Sequence, residues 1–299
     1  MLGKNLGNFS KNEGPIGSSY AFSAIEGSLS FVLVVIFWLN LGPVFVRFIS
    51  NLRLFQPLKE YLGANAPFFA MALGLVVSAR LLMKTKLKTI ATDKQRFDFP
   101  LALLCAALYT SVCIIFLLAS IMAKPGDYRF IVQDFPQKLL LLPFVLFITP
   151  LQTTSEEFLL RCLPVRVFSR GTFSRNRKQI LIISGLSALF FCLPHLSNQE
   201  LSFGSNTVAV LSYYLLFGFA GTYLSMRTGG FEVSMGIHAA NNLFIALICN
   251  YEHSSLPSLP LVRSSGPIGT WFEVVQLAVA MACIFLFLKW KGKLTKTDR

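Results

Sequence analysis

Apolar residues come in long runs along this chain, parted by shorter polar and basic stretches. Eight runs reach, or nearly reach, the about 20 residues that a helix needs to cross a bilayer. They are residues 29–49, 64–83, 100–123, 138–168, 180–196, 207–226, 231–249 and 270–290, the fifth and seventh being short. The pattern predicts an all-α fold: a polytopic transmembrane helical bundle of about eight spans. Pro43, Pro67, Pro100, Pro143 and Pro150 fall within or at the start of runs, which a membrane helix tolerates when neighbours satisfy the freed backbone groups.

A few polar groups interrupt the runs. Of 14 Asp and Glu, only Glu156 and Glu157 sit squarely inside one, in Ser155-Glu156-Glu157-Phe158-Leu159-Leu160-Arg161. His195 closes the fifth run after Pro194, and His238 and Asn242 lie one helical turn apart in the seventh. Ionisable groups in lipid are costly and mark functional sites by default. Pro150 is expected to interrupt the fourth run, because it lacks an N–H and disfavours helix at the residue before it. Thr153 or Thr154 then caps a new helix with capping-box spacing to Glu156 or Glu157, and the acidic pair falls in a first turn, where carboxylates are favoured. Glu157 and Arg161, four apart, can pair, while Glu156 points about 100° away and is free for other work. His238 and Asn242 face one way and can hold an oxyanion, or equally a hydrogen bond between helices. At 1.5 Å per residue, Glu156, His195 and His238 lie about 21, 25 and 16 Å from Arg170, Lys178 and Arg227, so all three belong to the bilayer interior.

The net charge of +13, from 27 Lys and Arg, falls between the runs with no nucleic-acid-binding motif. It therefore reports topology and anionic lipid, and nucleic acid is not an expected partner. Lys and Arg crowd the second loop (Arg80 to Arg96), the fourth (Arg170 to Lys178) and the end of the chain (Lys289 to Arg299), whereas Ser197 to Asn206 has none. An even number of spans with both termini cytoplasmic fits this distribution, Arg47, Arg53 and Lys59 fitting it least. Cys105, Cys113, Cys162, Cys192, Cys249 and Cys283 read as small buried hydrophobes. The expected organisation is a polar tail (1–28), transmembrane hairpins (29–136), a core carrying the polar motifs (137–250), and a last span with a basic tail (251–299). The first span is expected to serve as the insertion signal, with no cleaved signal peptide.

Taken together, three blocks resemble the CAAX prenyl protease and bacteriocin-processing (CPBP, or Abi) family of intramembrane proteases. The EExxxR motif is matched by Glu156, Glu157 and Arg161, FxxxH by Phe191 and His195, and HxxxN by His238 and Asn242. The resemblance implies a glutamate-dependent endopeptidase in a bacterial cytoplasmic membrane, acting on a peptide or a protein with a C-terminal motif. It implies that Glu156 is the general base on a water assisted by His195, that His238 and Asn242 steady the oxyanion, and that Glu157 with Arg161 holds the helix. Cys162 after the Arg, Leu160 before it and Pro194 before His195 depart from the family's usual residues, which bears on substrate preference.

Other chemistries match less well. There is no HExxH and no Asp in any span, and Gly185-Leu186-Ser187 with His238 suggests a Ser/His dyad only faintly. No cofactor is expected. The alternative is zinc held by Glu156, His195 and His238, since two His and a Glu form a known zinc set. The competing functions are a non-catalytic scaffold for bacteriocin self-immunity or regulation and, further off, a proton-coupled transporter.

Overall fold

The computed structural model describes residues 22–169, 173 and 176–296. The expectations for most of the polar tail, and for Arg170, Arg175 and Arg299, lie outside the described residues. Among the described residues seven helices are long and apolar enough to span a membrane: α1 (Ala24–Ser50), α2 (Gln56–Leu81), α4 (Phe99–Ala123), α5 with its continuation α6 (Phe135–Phe168), α7 (Arg177–His195), α9 (Thr207–Thr228) and α11 (Trp271–Trp290). Short helices α3 (Leu87–Ala91) and α8 (Gln199–Phe203) sit in connections. The eighth predicted run is the shorter apolar helix Glu232–Ile248, composed of α10 (Glu232–Leu243) and a π-helical turn, Phe244–Ile248. The fold is the expected polytopic helical bundle.

Polar caps set several of the helix starts. Ser23 and Glu26 form a reciprocal capping box at α1, starting that span several residues before its apolar run. Thr270 and Glu273 do the same at α11, while Asp98 and Asn206 accept from the backbone N–H groups of Leu101 and Ala209. Each cap satisfies amide donors that a helix start leaves free. Side chains such as Leu29, Ile36, Leu103, Leu140, Phe147, Ile182 and Leu189 form an exposed apolar belt, the expected surface of a bundle whose solvent is lipid.

The expected break at Pro150 is not formed. The fourth span runs as one helix from Phe135 to Glu157 with Pro143 and Pro150 inside it, and Thr153 donates to the Pro150 carbonyl instead of capping a new helix. The acidic pair therefore ends α5 rather than opening a helix. A π-helical turn, Phe158–Cys162, comes next, in which Leu163 N–H bonds the Phe158 carbonyl, and it leads into α6 (Leu163–Phe168). The rule for interior proline predicts a kink or break, but a packed neighbour holds the helix: Tyr61 on α2 hydrogen-bonds Thr149 at 2.7 Å, one residue before Pro150.

Helix α10 lies at the centre, packed on α4, α5 and α9. Its approach to α4 depends on Gly236, where an added Cβ would meet the Ala102 carbonyl oxygen at 2.2 Å. Small residues at membrane helix interfaces permit such close packing. Gly236→Ala is accordingly expected to destabilise the protein by roughly 1–3 kcal/mol, read as a lower unfolding midpoint in detergent. A wild-type midpoint would mean that the two helices can part there freely.

The connections on one side of the bundle build a three-stranded sheet. Strand β3 (Val262–Ser264) lies between β1 (Tyr128–Phe130), antiparallel to it, and β2 (Cys249–Tyr251), parallel. On the other side lies the basic segment 82–98, tied to the start of α10 by a bridge between Thr92 and Gly230.

Candidate active site

The three polar blocks, separated by tens of residues in sequence, meet between α5, α7, α9 and α10. Arg161 is fully buried, ion-paired with Glu157, and donates to the Phe217 carbonyl at 3.1 Å. Its guanidinium lies 4.0 Å from the centre of the Phe191 ring and 5.2 Å from that of Phe217. Room for it comes from Gly221 on α9, whose added Cβ would stand 3.3 Å from the guanidinium carbon. A buried charge is tolerated when it is paired and hydrogen-bonded, and the predicted Glu157–Arg161 pairing is realised in this way.

Glu157 also reaches the imidazole of His238, Nδ1 lying 2.8 Å from Oε1. The other ring nitrogen, Nε2, is 3.4 Å from Glu156 Oε2. The four groups therefore form one line: Arg161, Glu157, His238, Glu156. Because the Arg-paired Glu157 carboxylate is an acceptor, Nδ1 of His238 carries the proton and Nε2 faces Glu156. Glu156 itself borders a cavity of about 1230 Å³ that is also lined by His195, His238, Asn241 and Asn242.

Two pairings differ from the sequence expectation. The imidazole beside Glu156 belongs to His238, not His195. His195 instead donates Nδ1–H to the Phe191 carbonyl at 2.6 Å, and its ring packs between Phe191 and Tyr214 at centroid distances of 4.5 and 4.6 Å. This contact results from its place one turn after Phe191 at the end of α7, and it leaves Nε2 as a lone pair. His238 does not stand as a free donor beside Asn242: its Nδ1 is bonded to Glu157 and its Nε2 faces Glu156. Ser187, the member of the weak Ser/His suggestion, hydrogen-bonds Thr222 at 2.9 Å.

Asn242 is held by groups that the motif reading passed over. Its Oδ1 accepts from Asn241 Nδ2 at 3.0 Å, while Asn241 Oδ1 accepts from the hydroxyls of Tyr109 at 2.8 Å and Tyr213 at 2.9 Å. Two phenols thus fix the Asn241 amide, which in turn fixes Asn242 with its own NH₂ left as a donor at the cavity. Tyr109 and Tyr213 sit in otherwise apolar stretches of α4 and α9, where a tyrosine signals little until its partner is known. Loss of both hydroxyls in Tyr109→Phe/Tyr213→Phe is expected to lower kcat of the proposed hydrolysis about tenfold, roughly one lost orienting hydrogen bond, with KM nearly unchanged. A change in KM alone would assign the tyrosines to packing.

The donors proposed for zinc do not gather into one ligand set. Among the described residues no group of three or more His, Cys, Asp and Glu is placed to hold a metal ion. The residues present do not fit that site.

The sequence reading missed a third buried acid. Glu232, fully buried in the first turn of α10, accepts from the Asp98 N–H at 3.2 Å and lies 3.4 Å from Lys94 Nζ. With Arg166, ion-paired to Asp93 and bonded to the Ile90 carbonyl, it fastens the basic segment to the bundle. Its position at the edge of an apolar run, beside Gly229-Gly230, disguised it as a loop residue. The cysteines are all free; Cys105, Cys113, Cys162 and Cys192 are buried as expected, Cys249 is half-buried and Cys283 exposed.

The seven long apolar helices define a multi-pass membrane protein, and within it a buried carboxylate–imidazole line stands at the wall of a large cavity. Residues 136–244, the segment that supplies every motif residue, match the family model for type II CAAX prenyl endopeptidase Rce1-like proteins. The match agrees with the resemblance to the CAAX prenyl protease and bacteriocin-processing family that the three motifs carry, and over this segment the chain is similar to membrane proteases of that type. Over 274 residues the chain is 26% identical to the uncharacterized protein YyaK of Bacillus subtilis (strain 168), covering 90% of this chain and 89% of that one. No solved structure matches.

Proposed function

We propose that the protein is an intramembrane endopeptidase in which Glu156 activates a water for attack on a peptide carbonyl. The observation that carries this reading is the 3.4 Å approach of Glu156 Oε2 to His238 Nε2 at the cavity wall. Glu156 takes the proton as the water oxygen bonds to the carbonyl carbon, and His238, steadied by Glu157, shares it. The Asn242 amide donates to the developing oxyanion, and the His195 Nε2 lone pair accepts a hydrogen bond from the attacking water. Collapse breaks the C–N bond, and the proton held between Glu156 and His238 passes to the leaving amine. Glu157 and Arg161 touch no reacting atom and position His238.

Mass spectrometry of membrane-anchored peptides incubated with the purified, reconstituted protein tests the proposal. Cleavage by wild type that persists after treatment with EDTA or phenanthroline and is lost in Glu156→Gln is the expected result. Cleavage abolished by chelator and restored by zinc would replace the mechanism, and the same cleavage by Glu156→Gln would leave the chain as a non-catalytic scaffold.

A further inference from the structure

The cavity has a sidedness that its polar floor alone does not reveal. Every connection that lines it belongs to one face of the bundle: residues 124–128, 197–200, 249–256 and 264–270. No described residue of the opposite face, made by residues 82–98, 169, 173, 176 and 291–296, lines it. The cavity therefore descends from the sheet-bearing face to Glu156 and is closed on the other side, where Glu232 and Arg166 fasten the basic segment.

The two faces differ in Lys and Arg. The closed face carries Lys84, Lys86, Lys88, Lys94 and Arg96 in one connection and Lys291, Lys293 and Lys296 after α11. The connections of the open face carry Arg53, Lys124, Arg129 and Arg263. In short loops the side richer in Lys and Arg stays in the cytoplasm. Exposed tryptophans mark both boundaries: Trp271 starts α11 beside the cavity mouth, and Trp290 ends it, with Lys291 Nζ 4.1 Å from its ring centre. The 20 residues of α11 span about 30 Å at 1.5 Å per residue, one hydrocarbon core.

We infer that the cavity opens away from the cytoplasm and takes its peptide from the extracytoplasmic face. The substrate class is then an extracytoplasmic segment of a membrane-anchored or exported protein, not a cytosolic C-terminus. Three acids and one lysine, Asp127, Glu200, Glu273 and Lys124, line the mouth; Glu200 is engaged by Tyr251, Ser255 Oγ and the Ser255 N–H, and Glu273 by Thr270, so the mouth suits an uncharged or mixed chain. Burial first, and the Glu200 carboxylate after it, push the Tyr251 phenol well above its usual range, so it remains a donor there. This assignment of substrate rests on the peptidase reading, but the sidedness does not.

Labelling with a membrane-impermeant maleimide tests the sidedness. Glu252→Cys and Ser265→Cys, both exposed on the open face, and Lys86→Cys, exposed on the closed face, are compared with wild type to subtract its native cysteines. In intact cells both open-face variants are expected to label several-fold above wild type, and Lys86→Cys only after permeabilisation. The reverse pattern would overturn the inference. So would equal labelling of both faces in intact cells with a cytosolic marker protein unlabelled. Because labelling needs no activity, a protein that labels as expected yet cleaves nothing would refute the peptidase and leave the sidedness standing.

Discussion

Glu157→Ala is expected to cost roughly 3–5 kcal/mol of stability, the usual penalty for breaking a buried ion pair from one side. The substitution leaves the Arg161 guanidinium, fully buried among Phe191, Phe217 and Gly221, without its counter-ion. It also removes the acceptor that holds His238 Nδ1. Thermal unfolding in detergent should show a much lower midpoint, and membranes should hold less folded protein. Removing both charges, in Glu157→Leu/Arg161→Leu, should recover part of the loss, because a buried pair is often no better than apolar groups of similar volume. A wild-type midpoint for Glu157→Ala would show that the line from Arg161 to Glu156 is not what holds the site.

Glu156→Gln is expected to do the opposite: a near-normal midpoint and a fall in kcat of about 10²–10⁴-fold, the scale of a lost general base. Among the described residues Glu156 is ion-paired with no Lys or Arg, its near neighbour being His238 Nε2 at 3.4 Å, and the amide keeps its volume at the cavity wall. The adjacent glutamates thus separate, one answering to stability and the other to rate. If Glu156→Gln proved as destabilising as Glu157→Ala, its carboxylate would belong with the structural pair and the base would have to be sought elsewhere.

The spans were legible because lipid leaves a backbone few alternatives to helix, and run length alone located all seven long helices and the short α10. Glu157–Arg161 was legible because helical spacing fixes which side chains can meet. The rest depended on tertiary contacts that spacing does not encode. Pro150 reads as a break, yet α2 packs beside it and the helix continues. His195 and His238 are equally spaced from their motif partners, so sequence alone could not decide which imidazole meets Glu156. The backbone carbonyl of Phe191 takes His195, and His238 is left for the carboxylates. Asn241, Tyr109 and Tyr213 became part of the site only when α4, α9 and α10 were brought together.

The central claim is that Glu156 makes this cavity a peptidase. Profiling of protein termini in membranes from cells carrying wild type or Glu156→Gln, at equal levels of folded protein, tests it most directly. A set of new termini present with wild type and absent with Glu156→Gln is the predicted result, with cleavage positions in extracytoplasmic or membrane-embedded segments. Identical sets of termini in the two strains would contradict it.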